Sequence, residues 1–458
     1  MLLIFILSTI FILGLLISFI LVPKMYALER FGISFLLGMG IITFVMFCYS
    51  TLGVKITRES TIISIFIALL IALVLIKLLK RKINIDVLSI IKRCKKLSKF
   101  EKVLTLLIGG LFVGSLIEST YFPVYICDAL AIYDFRGKVI ADLGFYTQIA
   151  RNYYWFDGVP LFTSMSHAIS YLFGSRNSQF IYSLIYCSFV LSFYGTLRIF
   201  TSKKTSLLTT LLLSTIPTIY NHSTFAYTNM PYAVFISLSS IYLYIWITKK
   251  KEIGYLILSA ILMGLSTWTR STEPFWVINI LLLVLLCFYK FKRFILPAIL
   301  FIVIVYSFRE PWNMVNNYLS VKEGDFQKEA QITQELSSYG LAITKIQIDF
   351  NRIKEIIIYI YKNIIRSWYP LLFLFGYSMI LNTKSIFHKK SSVFLLLIFL
   401  YFSLLLFGTY FFSFGASSWR AIPDSARRMA MFFMPLMVYY IGLTFDSESI
   451  NKTKGENI

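Results

Sequence analysis

The chain has 458 residues, of which 58% are hydrophobic, 17% aromatic and only 14% charged, with a mean hydropathy of +0.74. Soluble domains are about 45–50% apolar and about 25% charged, so neither a soluble enzyme nor a disordered chain fits this composition. The net charge of +22 would point to nucleic acid in a soluble protein, but its meaning here depends on where the lysines and arginines sit.

A helix crossing a bilayer needs about 20 mostly apolar residues. In chain order, such runs occur at Leu2–Leu21, Ile33–Ser50, Thr61–Leu79 and Val103–Tyr121, then, after a long polar gap, at Phe180–Phe200, Ser206–Phe225, Ala233–Thr248, Ile253–Thr269 and Phe275–Tyr289. The last group is Phe294–Phe308, Ile356–Leu381, Val393–Phe412 and Met429–Phe445, which predicts an all-α polytopic membrane protein with about 13 transmembrane helices. The first run has no basic residue before it and no small-residue cleavage site, so it reads as an anchor rather than a signal peptide.

Lysine and arginine in short loops mark the cytoplasmic side. The loop Lys77–Lys102 carries ten of them, and placing it inside puts Arg198/Lys203/Lys204, Lys249–Lys251, Lys290/Lys292/Arg293 and Lys384/Lys389/Lys390 inside as well. One topology therefore satisfies every lysine cluster, with the N-terminus outside and the C-terminal tail inside. About 13 of the 22 acidic residues then fall outside, which makes the outer loops the place for chemistry. The five cysteines are scattered, with only Cys127 in an outside loop, so neither a disulfide framework nor a metal-ligand spacing emerges. Three regions follow: residues 1–102, a three-span extension with a basic cytoplasmic loop; residues 103–446, the main transmembrane region, with outer loops at 121–179, 309–355 and 413–428; and residues 447–458, a polar tail with no folding signal.

The two longer outer loops show helix-like periodicity and are expected to form caps with short interfacial helices. The first brings Asp128, Asp134, Arg136 and Lys138 directly after a transmembrane exit, with Asp128 among Tyr125, Ile126, Cys127, Ala129 and Leu130. A carboxylate at the membrane boundary is costly unless it is paired or useful. Asp128 is thus either an acid paired with Arg136 or Lys138, or a reactive group. Arg270 and Glu273 lie at i and i+3 where another span meets the outside; they form either an intrahelical ion pair flanked by the belt residues Trp268 and Trp276, or an arginine aimed at a phosphate and held by the glutamate. Arg427 and Arg428 precede the last span and oppose the positive-inside bias, which suits anchoring to anionic headgroups or gripping a lipid-linked phosphate. His167, His222 and His388 share no spacing and read as structural.

Three of these segments together resemble the bacterial GT-C membrane glycosyltransferases, a group that includes the protein O-mannosyltransferase-like and lipid A aminoarabinose transferase-like enzymes. Asp128-Ala-Leu-Ala-Ile-Tyr-Asp-Phe-Arg-Gly-Lys138 resembles the motif that opens their first large outer loop, usually a tryptophan followed by D-A-x-A-I-W-x-x-R-A-K; here Cys127, Tyr133 and Gly137 stand at the variant positions. Tyr227-Thr-Asn-Met-Pro-Tyr-Ala-Val-Phe235 is similar to a later Y-A-D-x-P-x-A segment, and Thr269-Arg270-Ser-Thr-Glu273 to a T-R-x-E-G element with one extra residue. The arginines before Met429 are similar to a terminal R-Y…P stretch, and the resemblance runs from about Val103 onward, leaving the first three spans outside it.

The resemblance implies inverting transfer of a sugar from a polyprenyl-phosphate donor to a hydroxyl of a glycan, lipid or protein acceptor at the extracytoplasmic face of the cell membrane. It makes Asp128 the general base and gives Arg136, Lys138, Arg270, Arg427 and Arg428 to the donor phosphate. Asp134, Glu273, Asn229, Tyr133 and Asp157 take supporting places. Some relatives use an acid at the position of Asn229 to help hold a divalent cation; asparagine is a poorer ligand for a hard ion, which disfavours a metal here and leaves no cofactor expected. Nucleic acid is not an expected partner, because most of the basic excess is accounted for by topology. The competing classes are a flippase for lipid-linked sugars, which would show repeats and charged mid-membrane helices, and a glycan polymerase or ligase, which would use arginine and histidine in the late outer loop. No repeat is present, and residues 309–355 contain no histidine.

Overall fold

The computed structural model of the protein describes residues 1–83, 97–126, 128–145, 159–250, 252–271, 274–322, 349–381, 383, 389–415 and 423–455, and the account below refers to these. Among the described residues, ten helices are long and apolar enough to cross a membrane, and two more apolar helices, Ile253–Thr269 and Pro274–Tyr289, are shorter. The chain is an all-α, multi-pass membrane protein.

Helices α1 (Leu2–Leu21), α2 (Ala27–Thr51), α3 (Arg58–Leu78) and α4 (Lys99–Tyr121) cover the first four expected spans. The starts of α3 and α4 are set by local chemistry. Thr57 and Ser60 form a reciprocal capping box, and so do Ser98 and Glu101, where Glu101 Oε2 accepts from the Ser98 amide at 2.8 Å. Helices α1 and α2 cross so closely that only glycine fits: a Cβ on Gly14 would lie 1.8 Å from the Ser34 carbonyl oxygen, and one on Gly38 2.0 Å from that of Ile10. In lipid there is no hydrophobic force between apolar helices, so such close backbone contact supplies the attraction instead.

After α4 come α5 (Phe135–Leu143), preceded by a π-helical turn over Ala129–Asp134, and α6 (Phe162–Leu172). These are the short helices expected in the first outer loop, but α6 is buried along almost its whole length rather than lying on the surface. Helix α5 ends on Gly144 in the left-handed conformation (φ 80°), the usual solution to the orphaned carbonyls of a helix end.

The run Ser206–Phe225, read from the sequence as one span, is instead two helices, α8 (Lys203–Ser214) and α9 (Pro217–His222), following α7 (Phe180–Leu197). Proline at 217 has no amide proton and forces Ile216 into extended backbone (φ −61°, ψ 118°), so the apolar run is divided. The remaining helices are α10 (Asn229–Ile245), α11 (Ile253–Thr269), α12 (Val277–Tyr289), α13 (Phe291–Lys322), α14 (Phe350–Ile360), α15 (Arg366–Leu381), α16 (Lys389–Gly415), α17 (Pro423–Ala430) and α18 (Met434–Gly455). The polar tail, expected to lack structure, continues helix α18 as far as Gly455.

Helices α2, α7 and α10 form the buried centre, and α3 and α4 present broad apolar faces outward, as lipid-facing helices must. A mid-helix polar cluster ties three helices together. Asn279 of α12 donates to Ser239 Oγ at 3.0 Å, and its Oδ1 accepts from Ser240 at 3.0 Å and from Tyr401 of α16 at 3.2 Å. The N-terminal spans are packed into the same body. Trp268 Nε1 donates to Thr43 Oγ1 at 3.3 Å, the Ile56 amide donates to the Gly144 carbonyl at 2.7 Å, and Arg58 donates to the Leu172 carbonyl.

Candidate active site

The π turn after α4 decides where the acids of the first motif point. A π turn bonds i to i+5 and so shifts the side chains after it relative to an α turn, and such bulges are frequent at functional sites. Here it buries Ala129, Tyr133 and Asp134 while leaving Asp128, at its start, exposed. Two carboxylates six residues apart thus enter opposite environments.

Asp128 faces the second motif. Its Oδ2 accepts a hydrogen bond from the Tyr227 hydroxyl at 2.5 Å. Burial raises the Tyr227 pKa above the ordinary phenol value, and the hydrogen bond to Asp128 and that carboxylate's charge add to the rise, so the hydroxyl remains a donor over the working pH range. The Tyr227 ring packs edge-on to Tyr133, with centroids 5.9 Å apart, and the Arg428 guanidinium lies 5.8 Å from the Tyr227 centroid. Arg427, its neighbour on α17, is exposed.

Next to Tyr227 the chain turns into α10, and its first residues receive the arginine of the third motif. Arg270 Nη1 donates to Asn229 Oδ1 at 2.8 Å and approaches Thr228 Oγ1 at 3.5 Å, while Thr228 Oγ1 is 3.4 Å from the Tyr133 hydroxyl. With its oxygen facing Arg270, the Asn229 amide turns its Nδ2 to His222 Nε2 at 3.5 Å. His222 Nδ1 lies 2.8 Å from the Thr218 carbonyl oxygen, which can only accept. The imidazole proton therefore sits on Nδ1 and leaves Nε2 as the acceptor. Asn229 orients Arg270 without cancelling its charge, which an aspartate at the same position would do.

The structure thus gathers Asp128, Tyr133, Asn229, Arg270 and Arg428 around Tyr227 and Thr228, on the edge formed by the π turn, the start of α10 and the end of α11. It does not bring Arg136 and Lys138 there. Arg136 is fully buried under α5 and donates to the Val159 carbonyl at 3.0 Å; burial lowers its pKa to about 10. Lys138 pairs with Asp134 at 2.9 Å, not with Asp128, because 134 and 138 are one helical turn apart. Gly137 departs from the alanine of the motif for a steric reason: a Cβ there would meet His167 Cβ at 2.5 Å. Asp157 and Glu273, also expected near the site, lie outside the described residues, as does Cys127.

Asp134 is the centre of a second, buried cluster. Besides Lys138, it accepts from Tyr171 and from Ser178 at 2.9 Å, and His167 Nδ1 stands 3.4 Å away, with His167 Nε2 2.9 Å from the Tyr182 hydroxyl. Burial alone would raise the Asp134 pKa, but the hydrogen bond and charge of His167, then Tyr171 and Lys138, outweigh it and hold the carboxyl well below the usual range. His167, read as structural, is so, as a support for this acid.

Sequence reasoning gave Tyr227 and Thr228 no role, although Tyr227 opens the segment similar to Y-A-D-x-P-x-A, and it read His222 as structural. Tyr227→Phe is expected to lower kcat by about threefold to tenfold, the worth of one hydrogen bond, with KM and thermal unfolding unchanged. Steady-state kinetics beside a melting curve checks this.

The fold and this polar rim define a polytopic membrane protein whose candidate site residues gather at one end of the helix bundle. Residues 158–311 match the family model described as dolichyl-phosphate-mannose-protein mannosyltransferase, a GT-C superfamily family. The match agrees with the resemblance carried by the motifs and supports a membrane glycosyltransferase of the GT-C type. The match takes in Asn229 and Arg270 and begins downstream of Asp128. No curated protein and no solved structure matches the chain.

Proposed function

We propose that the enzyme moves a sugar from a polyprenyl-phosphate donor to a hydroxyl acceptor at the extracytoplasmic face of the cell membrane, with inversion at the anomeric carbon. The observation that carries this reading is the meeting of one exposed carboxylate, Asp128, with two arginines, Arg270 and Arg428, at a single edge of the bundle. In the reaction, the acceptor oxygen bonds to the anomeric carbon while its proton passes to Asp128, and the bond from that carbon to the phosphate oxygen breaks. The departing lipid phosphate carries the electron pair away and needs positive charge rather than a proton; Arg270 and Arg428 supply it, with Arg427 close by on α17.

The divalent ion used by some relatives does not suit these residues. Asn229 stands where their acid would be, and its Oδ1 already accepts from a guanidinium at 2.8 Å, which repels a second cation. Among the described residues, no three His, Cys, Asp or Glu side chains are grouped to hold a metal. On the contact between Asn229 and Arg270, transfer is read as metal-independent.

The name of the matching family makes polyprenyl-phosphate mannose the first donor to try. Purified enzyme incubated with radiolabelled polyprenyl-phosphate sugars is expected to release lipid phosphate in step with labelling of an acceptor, and to retain its full rate after EDTA treatment. Movement of intact lipid-linked sugar between leaflets, with no release, would favour a flippase. Loss of activity in EDTA restored by magnesium or manganese would overturn the metal-independent reading alone.

A further inference from the structure

The end of the bundle remote from Asp128 holds a groove that the transfer reaction does not use. Helix α4 measures the separation: its Tyr121 end leads to Asp128 and its Lys99 end borders the groove, and 23 residues at about 1.5 Å each separate the two. The groove is apolar, about 140 Å³, and walled by Tyr26 and Leu28 at the start of α2, Ile108 of α4, Val190 and Tyr194 of α7, and Leu207 of α8. An apolar cavity near 150 Å³ takes a benzene-sized group, so this one suits a stretch of one hydrocarbon chain.

A second pocket adjoins it through Tyr26, which lines both, and its other walls include Lys24 and Arg198. Lys203 lines the apolar groove, and Lys204 stands beside it on α8. The Arg198 guanidinium is held in place by donation to the Thr201 carbonyl. Among the described residues, the pocket wall that holds Lys24 and Arg198 includes no carboxylate. Glu101 pairs with Lys203 at 3.6 Å, and Asp446 accepts from the Ser202 amide at 3.0 Å and from Thr205 at 3.1 Å. Cations thus line the mouth of an apolar slot.

We propose that this paired pocket is a site for an anionic phospholipid, one acyl chain in the groove beside Tyr194 and Leu207 and the headgroup phosphate against Lys24 and Arg198. A neutral lipid would bring no net charge to Lys24 and Arg198, and a free phosphate would leave the groove unfilled; a ligand with both parts matches the two pockets and the residue they share. Basic pockets between transmembrane helices are recognised as binding places for acidic lipid headgroups. The groove walls come from α2 on one side and from α4, α7 and α8 on the other, so a bound lipid cements the N-terminal hairpin to the rest of the bundle. That gives the first spans a physical role independent of transfer.

The test is native mass spectrometry of the detergent-purified full chain with phosphatidylglycerol and phosphatidylcholine of identical acyl chains, beside thermal unfolding with each lipid and with inorganic phosphate. Phosphatidylglycerol is expected to be retained about tenfold or more over phosphatidylcholine, from the contribution of two cations, and to raise the unfolding temperature, with inorganic phosphate having no effect. The double variant Lys24→Gln/Arg198→Gln is expected to erase the preference, and Leu207→Trp, which fills the groove, to weaken retention of both lipids. Equal retention of the two lipids by the native chain, or a preference untouched by the double variant, overturns the proposal. Equal stabilisation by inorganic phosphate also overturns it, by reducing the site to an anion pocket. Should the variants not fold, glycerophosphoglycerol, the same headgroup without acyl chains, decides on the native chain: binding as strong as that of phosphatidylglycerol would rule the groove out. None of these readouts depends on sugar transfer.

Discussion

Replacing Asp128 by asparagine is expected to lower sugar transfer by about 10²–10⁴-fold, the usual worth of a general base, while the protein folds and inserts as before. The substitution keeps the size of the side chain, and the amide oxygen can still accept from the Tyr227 hydroxyl, which lies 2.5 Å from Oδ2 in the native protein. Only the capacity to take a proton is lost. Asp128 is exposed, so no buried partner is orphaned, and the unfolding free energy should change by less than about 0.5 kcal/mol. Single-turnover release of lipid phosphate, measured beside a melting curve, separates the two effects. A rate within threefold of the native value in a folded Asp128→Asn protein would remove this residue from the chemistry and leave the arginines at the same edge as a donor-binding site without an assigned base.

The helices were legible because lipid imposes one rule on every span: the backbone must bond within itself, so about 20 apolar residues in a row can hardly be anything else. The rule weakens where a single residue outweighs composition. Ser206–Phe225 is apolar enough to span, yet Pro217 divides it, and no hydropathy sum registers one missing amide. Nor did composition reveal how the first three spans join the rest. That union rests on close backbone approach of Gly32 to Ser192 and of Gly254 to Leu21, and on single hydrogen bonds such as Trp268 to Thr43, contacts without a periodic signature.

The candidate site was legible in its parts and less so in its wiring. The motif residues Asp128, Tyr133, Asn229 and Arg270 do converge, although they come from three separate stretches of chain. The reading of Lys138 went astray by looking for a ligand when a closer partner existed: Asp134 lies four residues earlier on the same face, and the ion pair forms there. Tyr227 opens the second motif, but its bond to Asp128 was not foreseen because the partner is 99 residues distant, and such a bond has no local trace in the sequence. Arg136 shows the opposite failure. Its charge suggested a phosphate, but its place on the inner face of a short helix buries it completely.

The buried acid beside this site is expected to matter for stability as much as Asp128 matters for rate. Asp134 is 1% exposed and bonded to Lys138, Tyr171, Ser178 and His167. Asp134→Asn removes the charge that all four are arranged around and leaves His167, itself fully buried, facing a neutral amide. Removing one partner of a buried charged cluster costs about 3–5 kcal/mol, and here about 3 because Lys138 can turn to solvent. The sign of the accompanying pH dependence follows from the direction of the shift. The folded carboxyl titrates below its unfolded value, so its contribution is complete above about pH 5 and is lost as pH falls through and below the ordinary carboxylate range. Native protein should therefore melt at a nearly constant temperature from pH 8 to pH 5 as far as this group is concerned, and lose stability below about pH 4. The Asp134→Asn protein should start lower and show a shallower acid decline. Identical acid limbs in the two proteins would mean that Asp134 carries no linked proton, and the cluster would then be held by packing of the π turn against α6 alone. Because that turn also aims Asp128, the variant should lose transfer activity on warming before it loses helix content, a sequence that circular dichroism and activity followed together can resolve.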